Sequence, residues 1–208
     1  GKAAADAVLL GPGLLPGRGT TRLTQAALAA AGPPAVVDAG ALDALSRVPR
    51  WWTRLGRSVI VTPHPGEFAR LGREVQSDDE ARREGAVAAA QAWGVTVVLK
   101  GAHTIIAAGD DVLTAPFEVP ALGTGGSGDV LAGVIASLAG QGLTPLEAAA
   151  LGVYLHARAG VDVSDHLGDA GLMATDLLPA IPRVRRQLEA VRSGTGRLGF
   201  EAPAGGAT

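Results

Sequence analysis

Apolar residues gather in short blocks of three or four, and each block stops at a turn or a charged residue. Ala7-Val8-Leu9-Leu10 ends in Gly11-Pro12-Gly13 and predicts a buried strand running into a tight turn. Ala35-Val36-Val37 ends in Asp38, Val59-Ile60-Val61-Thr62 in Pro63-His64-Pro65-Gly66-Glu67, and Thr96-Val97-Val98-Leu99 in Lys100-Gly101. Helical spacing fills the gaps. Thr20 or Thr21 is expected to cap a helix reaching Ala31, with Gly32-Pro33-Pro34 as its stop. A short helix is predicted over residues 41–46. Ser77-Asp78-Asp79-Glu80 has the form of a capping box opening a helix to Trp93. Residues 104–107 and 112–114 flank Gly109-Asp110-Asp111 and predict an antiparallel hairpin, with both Asp residues as turn formers.

Beyond Pro116 the strands stop. A loop leads to a Gly-rich turn over residues 123–128, then a helix over 129–139. Thr144-Pro145-Leu146-Glu147 is a second capping box, for a helix expected to end near Ala159. The last helices are predicted from Thr175 or Asp176, broken near Pro179 and Pro182. Strands alternating with helices imply an α/β fold, a mostly parallel central sheet with helices on both faces. Ligands in such sheets bind beyond the carboxyl ends of the strands. Gly11-Pro12-Gly13, Asp38, the segment from His64 to Glu67 and Lys100-Gly101 are therefore expected to share one rim.

Composition narrows this further. The 208 residues suit one domain, here expected over residues 1–192, with a disordered tail at 193–208. Gly and Pro make up about a fifth of the chain, which fits many Gly-rich loops. A formal net charge of −2 argues against a nucleic-acid surface. The absence of Cys excludes disulfides, thiolate nucleophiles and Cys–zinc sites and fits a cytoplasmic setting. No apolar run is long enough for a membrane span, and no signal peptide is visible. The chain opens Gly1-Lys2-Ala3, without Met, and is expected to be a fragment or a processed product.

The sharpest chemical signal is Gly123-Thr124-Gly125-Gly126-Ser127-Gly128-Asp129 ahead of an apolar helix. Glycines let successive backbone N–H groups converge on one anion, and a helix N-terminus adds partial positive charge. Gly125, Gly126, Ser127 and Gly128 thus form a candidate phosphate cradle. Asp129, in the first helical turn, is the candidate base for an attacking hydroxyl. The bland alternative is a Gly-rich turn with a capping Asp, but four glycines in six residues exceed what a cap requires. Neither a dinucleotide fingerprint nor a Walker A loop fits, since no strand precedes the motif and Asp129 stands where the Walker Lys would be. His64, between two prolines, starts preorganised for a ligand, with a purely structural role as the alternative, and has no second ligand at metal spacing. Lys100, at a strand end beside Gly101, suits a phosphate or ribose, the alternative being a solvated lysine before a turn. His156 and Arg158 are read as packing or subunit contacts.

Together these motifs resemble the ADP/ATP-dependent NAD(P)H-hydrate dehydratases of the ribokinase-like superfamily. The resemblance rests on Gly11-Pro12-Gly13-Leu14, Thr62-Pro63-His64-Pro65-Gly66-Glu67, Leu99-Lys100-Gly101-Ala102-His103-Thr104, the Gly123–Asp129 stretch and Gly171-Leu172-Met173-Ala174-Thr175-Asp176-Leu177-Leu178. Two positions depart: Leu15 stands where the family has Gly, and Gly40 where it has Asp. The family also carries several dozen residues ahead of the first motif. The resemblance implies repair of hydrated NADH or NADPH, by phosphorylation of the ring hydroxyl from ADP or ATP and elimination of phosphate. It implies Asp129 as base, and Lys100, Gly101, Ala102, His103, Thr104 and Gly128 on the ADP or AMP. Gly13, His64 and Asp129 would face the hydrate. Mg²⁺ would screen the donor phosphates, through metal ligands the sequence leaves unknown. It further implies a cytoplasmic homotetramer, sometimes fused to an epimerase. Rival readings are a ribokinase-like kinase of a small vitamin alcohol and a nucleotide-binding protein without catalysis.

Overall fold

The computed structural model describes residues 5–74, 78–168 and 170–192. One six-stranded sheet runs in chain order: β1 (Val8–Leu10), β2 (Ala35–Val37), β3 (Val59–Val61), β4 (Thr96–Leu99), β5 (Ile105–Ala108) and β6 (Asp111–Thr114). β1 to β4 are parallel; β5 and β6 form the antiparallel hairpin on the far edge. The helices are α1 (Arg18–Ala29), α2 (Ala39–Leu45), α3 (Pro65–Arg70), α4 (Asp79–Trp93), α5 (Ser127–Gly140), α6 (Pro145–Leu167) and α7 (Ala174–Arg192).

The central strands are apolar throughout because both faces are covered. Val36, Ile60, Val98 and Ile106 point into a core with α5, α6 and α7. Their neighbours Val37, Val61, Val97 and Ala107 point the other way, onto Leu28 of α1, Leu42 and Leu45 of α2, Phe68 of α3 and Trp93 of α4. This two-sided sheet is the arrangement that the strand–helix alternation predicts.

Several element limits differ from the sequence reading. α1 starts at Arg18 on an N-cap Gly17 that offers no side chain, and Thr20 instead donates back to the Leu15 carbonyl (2.6 Å). α1 also ends at Ala29, two residues short of Ala31. α2 begins at Ala39, immediately after Asp38. α4 is capped by Asp78, whose carboxylate accepts from the Ala81 N–H (2.8 Å); Ser77 lies outside the described residues, as do 193–208. α6 runs through Gly160 to Leu167. Gly160 is a packing residue and not a stop: a Cβ there would lie 2.8 Å from Leu122, in the 3₁₀ turn Pro120–Gly123. α7 is one helix despite Pro179 and Pro182. Both prolines are exposed, so the carbonyls they leave unbonded face water, while Leu177, Ala180 and Val184 hold the inner face. The Thr144–Glu147 capping box stands as expected.

α5 and α6 pack so closely at Gly152 that a Cβ there would lie 2.5 Å from Ile135 Cγ1. Gly152→Ala should therefore destabilise by about 1–3 kcal/mol, although Ala is the better helix former. The check is a double-mutant cycle with Ile135→Ala by chemical denaturation, in which the second change should recover part of the loss.

Candidate active site

The parallel strands deliver their carboxyl ends side by side. Asp38 follows β2 and Lys100 follows β4. Their side chains meet across β3, Lys100 Nζ lying 2.9 Å from Asp38 Oδ1. The Asp38 side chain is 2% exposed and that of Lys100 20%. Glu67, on α3 after β3, adds a second carboxylate 3.8 Å from the same ammonium. The Lys100 N–H also donates to the Pro63 carbonyl (2.9 Å), pinning the end of β4 to the loop after β3. A Cβ at Gly128 would lie 3.3 Å from Lys100 Nζ and 3.8 Å from Asp38 Oδ2, so the ion pair sits directly under the first turn of α5.

The segment after β3, read from the sequence as a restrained loop, is the start of a helix. His64 is the N-cap of α3. Its Nδ1 accepts from the N–H groups of Gly66 (3.0 Å) and Glu67 (3.3 Å). Glu67 closes the capping box by accepting from the His64 N–H (2.8 Å). An imidazole here takes the place of a Ser or Asp cap. Nδ1 therefore carries no proton, and the half-exposed Nε2 edge, 3.6 Å from Glu67 Oε2, is the donor side.

At the Gly-rich turn, Gly126 is the N-cap of α5 with φ +88°, a conformation that glycine adopts freely. Ser127 Oγ donates to the Leu122 carbonyl (2.5 Å), and the Ser127 N–H to Thr124 (3.3 Å). The serine therefore holds the 3₁₀ turn against the helix. Among the described residues, the N–H groups of Gly125, Gly126, Gly128 and Asp129 have no protein acceptor. Asp129 is exposed at the third position of α5. Beneath the turn lies His156 of α6. It is buried, and its Nε2 donates to the Ser127 carbonyl (2.9 Å). Burial pushes its pKa down to about 4; the bond to Ser127 opposes this and the Lys100 charge adds to it.

A cavity of about 340 Å³ opens between these parts. His64, Lys100, Gly101, Ala102, Thr104, Ser127 and Gly128 line it, so the structure brings most of the sequence-predicted residues to one place. Gly13, His103, Gly125, Gly126 and Asp129 lie outside its wall. Gly13 (φ +73°) is exposed in the loop after β1. That loop is threaded against Asp38: a Cβ at Gly11 would overlap the Asp38 carbonyl, at 1.7 Å.

Three features extend the sequence reading. His156 reaches the cavity as a packing residue, one of the two readings given to it. The Asp38–Lys100 pair joins residues 62 positions apart, which no local pattern reveals. Arg82, on α4, reaches the carbonyls of Lys100 (3.5 Å) and His103 (3.3 Å) and holds the turn between β4 and β5. Gly40 has a steric cause. A Cβ there would lie 2.0 Å from the Leu14 carbonyl, so an acidic side chain cannot fit under this loop. No group of three or more metal-ligating side chains occurs among the described residues, and Asp38 and Glu67 both face Lys100. The described residues thus offer no all-protein cage for Mg²⁺.

The family model described as NAD(P)H-hydrate dehydratase matches residues 2–183. The chain belongs to that family. A bifunctional NAD(P)H-hydrate repair enzyme (Nnr) of Moorella thermoacetica is 46% identical over 189 residues, 90% of this chain and 36% of the relative. An ADP-dependent (S)-NAD(P)H-hydrate dehydratase of Xanthomonas campestris is 38% identical over 187 residues, 89% of this chain and 63% of that protein. The chain therefore spans between about a third and two thirds of the length of these relatives. Among solved structures, an ADP/ATP-dependent NAD(P)H-hydrate dehydratase of Bacillus subtilis, co-crystallized with ATP/Mg²⁺, superposes with a TM-score of 0.79 at 33% identity, over 89% of this chain and 65% of that one. A ribokinase-like superfamily protein of Enterococcus faecalis gives 0.73 at 28% identity, over 87% and 63%. The fold of this family member is thus ribokinase-like. Among its described residues, no helix is long and apolar enough to cross a membrane.

The buried imidazole predicts a pH dependence. Folded His156 titrates near 4 and an unfolded imidazole near 6.5, so between these values the unfolded chain binds the extra proton. Stability should be intact above about pH 6.5 and fall on acidification towards 4, by roughly 3 kcal/mol at full loss. Denaturation midpoints across this range should show the slope, and His156→Gln should flatten it.

Proposed function

We propose that this chain catalyses the dehydration of the S form of hydrated NADH or NADPH at the expense of ADP or ATP. The observation that carries the reading is the row of unpartnered N–H groups at the start of α5. It has Asp129 in its first turn and lies beside a cavity at the carboxyl ends of the strands, in a member of this family. The hydroxyl on the reduced nicotinamide ring is a poor leaving group as hydroxide. Transfer of the donor's terminal phosphoryl group converts it to a phosphate ester, releasing AMP when the donor is ADP. Phosphate then departs, and the adjacent ring carbon loses a proton as the double bond re-forms.

In this reading Asp129 takes the hydroxyl proton, and the amides of Gly125, Gly126 and Gly128 hold the transferring group. Ser127 contributes by setting the turn, since its hydroxyl is engaged with Leu122. The Lys100–Thr104 turn, held by Arg82, faces the nucleotide with Gly128. His64 offers its Nε2 edge, and Gly13 its backbone, to the hydrate. Mg²⁺, when bound, neutralises donor-phosphate charge and would arrive with those phosphates. The names of the relatives, the solved relative's ATP/Mg²⁺ and the site geometry all support this assignment.

The test is an assay of this chain with hydrated NADPH and each donor. Return of the reduced-nicotinamide absorbance supports dehydration; a stable phosphorylated product would show a kinase instead. Asp129→Asn should lower kcat by about 10²–10⁴-fold while ADP affinity by calorimetry stays near wild type. Wild-type turnover in that variant removes Asp129 from the mechanism.

Gly125→Ala probes the cradle more cleanly than Gly126→Val. A valine at Gly126 would meet both the positive φ and Ala174, 3.2 Å from its Cβ, and so would disturb folding too. No atom lies within 4 Å of a Cβ at Gly125. The alanine variant should keep its thermal midpoint and lose about tenfold or more in turnover, ~1.4 kcal/mol of transition-state stabilisation. Unchanged turnover in the folded variant would count against phosphoryl binding there.

A further inference from the structure

On the α1–α2 side of the sheet, away from the strand ends, lies a second cavity of about 750 Å³. Its floor is apolar, from Leu28, Leu45 and Trp51, and its edge carries Arg22, Arg50 and Arg54. Arg22 also borders an adjoining hollow of about 300 Å³ with Arg18 and Arg47. Among the described residues the guanidinium groups of these five arginines have no ion-pair or hydrogen-bond partner; Arg50 is engaged only through its carbonyl, which accepts from the Thr53 hydroxyl (3.0 Å). No carboxylate answers them: between residues 7 and 57 the chain has only Asp38, bound to Lys100, and Asp43, bound to Arg70 (2.7 Å) on α3.

Two further features set this wall apart from an ordinary charged surface. The Trp51 indole is buried at the cavity wall, and among the described residues its N–H has no acceptor. Arg50, ahead of the 3₁₀ turn Trp51–Arg54, is held at φ +52°. Side-chain-bearing residues seldom adopt this left-handed conformation, and such strain concentrates at ligand sites. A pocket of this volume, with an apolar floor, cationic residues in its lining and an unsatisfied donor at its wall, has the chemistry of an organic-anion site.

We propose that this cavity binds a di- or polyphosphate anion, separately from the catalytic site. The guanidinium groups would hold the phosphates by charge-assisted, bidentate bonds, and the apolar floor would take a nucleoside body where the ligand has one. The proposal is independent of the reaction assigned above, because none of these residues belongs to the catalytic cavity.

All three tryptophans of the chain report on it. Trp51, Trp52 and Trp93 form one cluster with ring centroids 5.4 to 6.1 Å apart. Inorganic pyrophosphate, ADP and adenosine are titrated against intrinsic tryptophan emission, with calorimetry for stoichiometry. A saturable emission change with pyrophosphate and with ADP, and none with adenosine, is expected. Tighter binding of ADP than of pyrophosphate identifies a nucleotide as the ligand; equal binding identifies the inorganic anion. The triple variant Arg22→Ala, Arg50→Ala, Arg54→Ala removes only exposed, unpartnered side chains. It should bind pyrophosphate about tenfold or more weakly, lose one of two calorimetric ADP sites, and keep its thermal midpoint and its turnover. Absence of any pyrophosphate response, or an undiminished response in the triple variant, overturns the proposal whatever the assay of the reaction shows.

Discussion

The buried ion pair between Asp38 and Lys100 is the constraint around which the site is built. It spans the end of β3 and joins the ends of β2 and β4. In a nearly dry setting each charge needs the other: loss of one partner leaves an uncompensated charge, which typically costs about 3–5 kcal/mol. Such a pair adds little net stability over an apolar replacement, but it fixes geometry. Gly11 must lack a side chain because the Asp38 backbone passes through that space, and Gly128 brings α5 down onto the two charged groups. The loop after β1, the start of α2 and the start of α5 are therefore all registered to one carboxylate.

The same pair shapes the electrostatics of the cavity. Lys100 lies under the Gly-rich turn, yet two carboxylates already face it. An anion above the turn is thus held chiefly by backbone N–H groups and the end of α5, with Lys100 as a partly neutralised support. His156 remains uncharged beneath, because its pKa near 4 keeps a second positive charge out of the core at neutral pH. Its bond to the Ser127 carbonyl ties α6 to the first residue of α5. Close packing at Gly152 and Gly160 then determines where that helix start stands relative to the strand ends.

The two sides of the sheet divide the chemistry. The strand-end cavity places backbone donors beside a compensated charge network, which suits a phosphoryl group in transit. The α1–α2 side displays uncompensated arginines over an apolar floor, which suits an anion that stays bound. Neither arrangement follows from net charge: the chain carries −2 overall, and the contrast arises from which acidic groups are already paired.

The amino-acid sequence by itself determined the mostly parallel sheet and the shared rim onto which the loops after its strands open; the order of the strands came from the structure. Runs such as Val59-Ile60-Val61 can only be buried on both faces, and loops that follow parallel strands must emerge on one edge. The glycines before α5 and the acid that follows them were legible as a candidate cradle and base, since that signal lies in local backbone geometry. Tertiary structure alone decided that His64 caps α3, because a cap needs a helix that six residues could not announce. It decided that Pro179 and Pro182 leave α7 unbroken, because both fall on its wet side. It also decided the pairing of Asp38 with Lys100 and the grip of Arg82 on the β4–β5 turn. These contacts join residues far apart in the chain, and only the packing of sheet and helices determines which side chains meet.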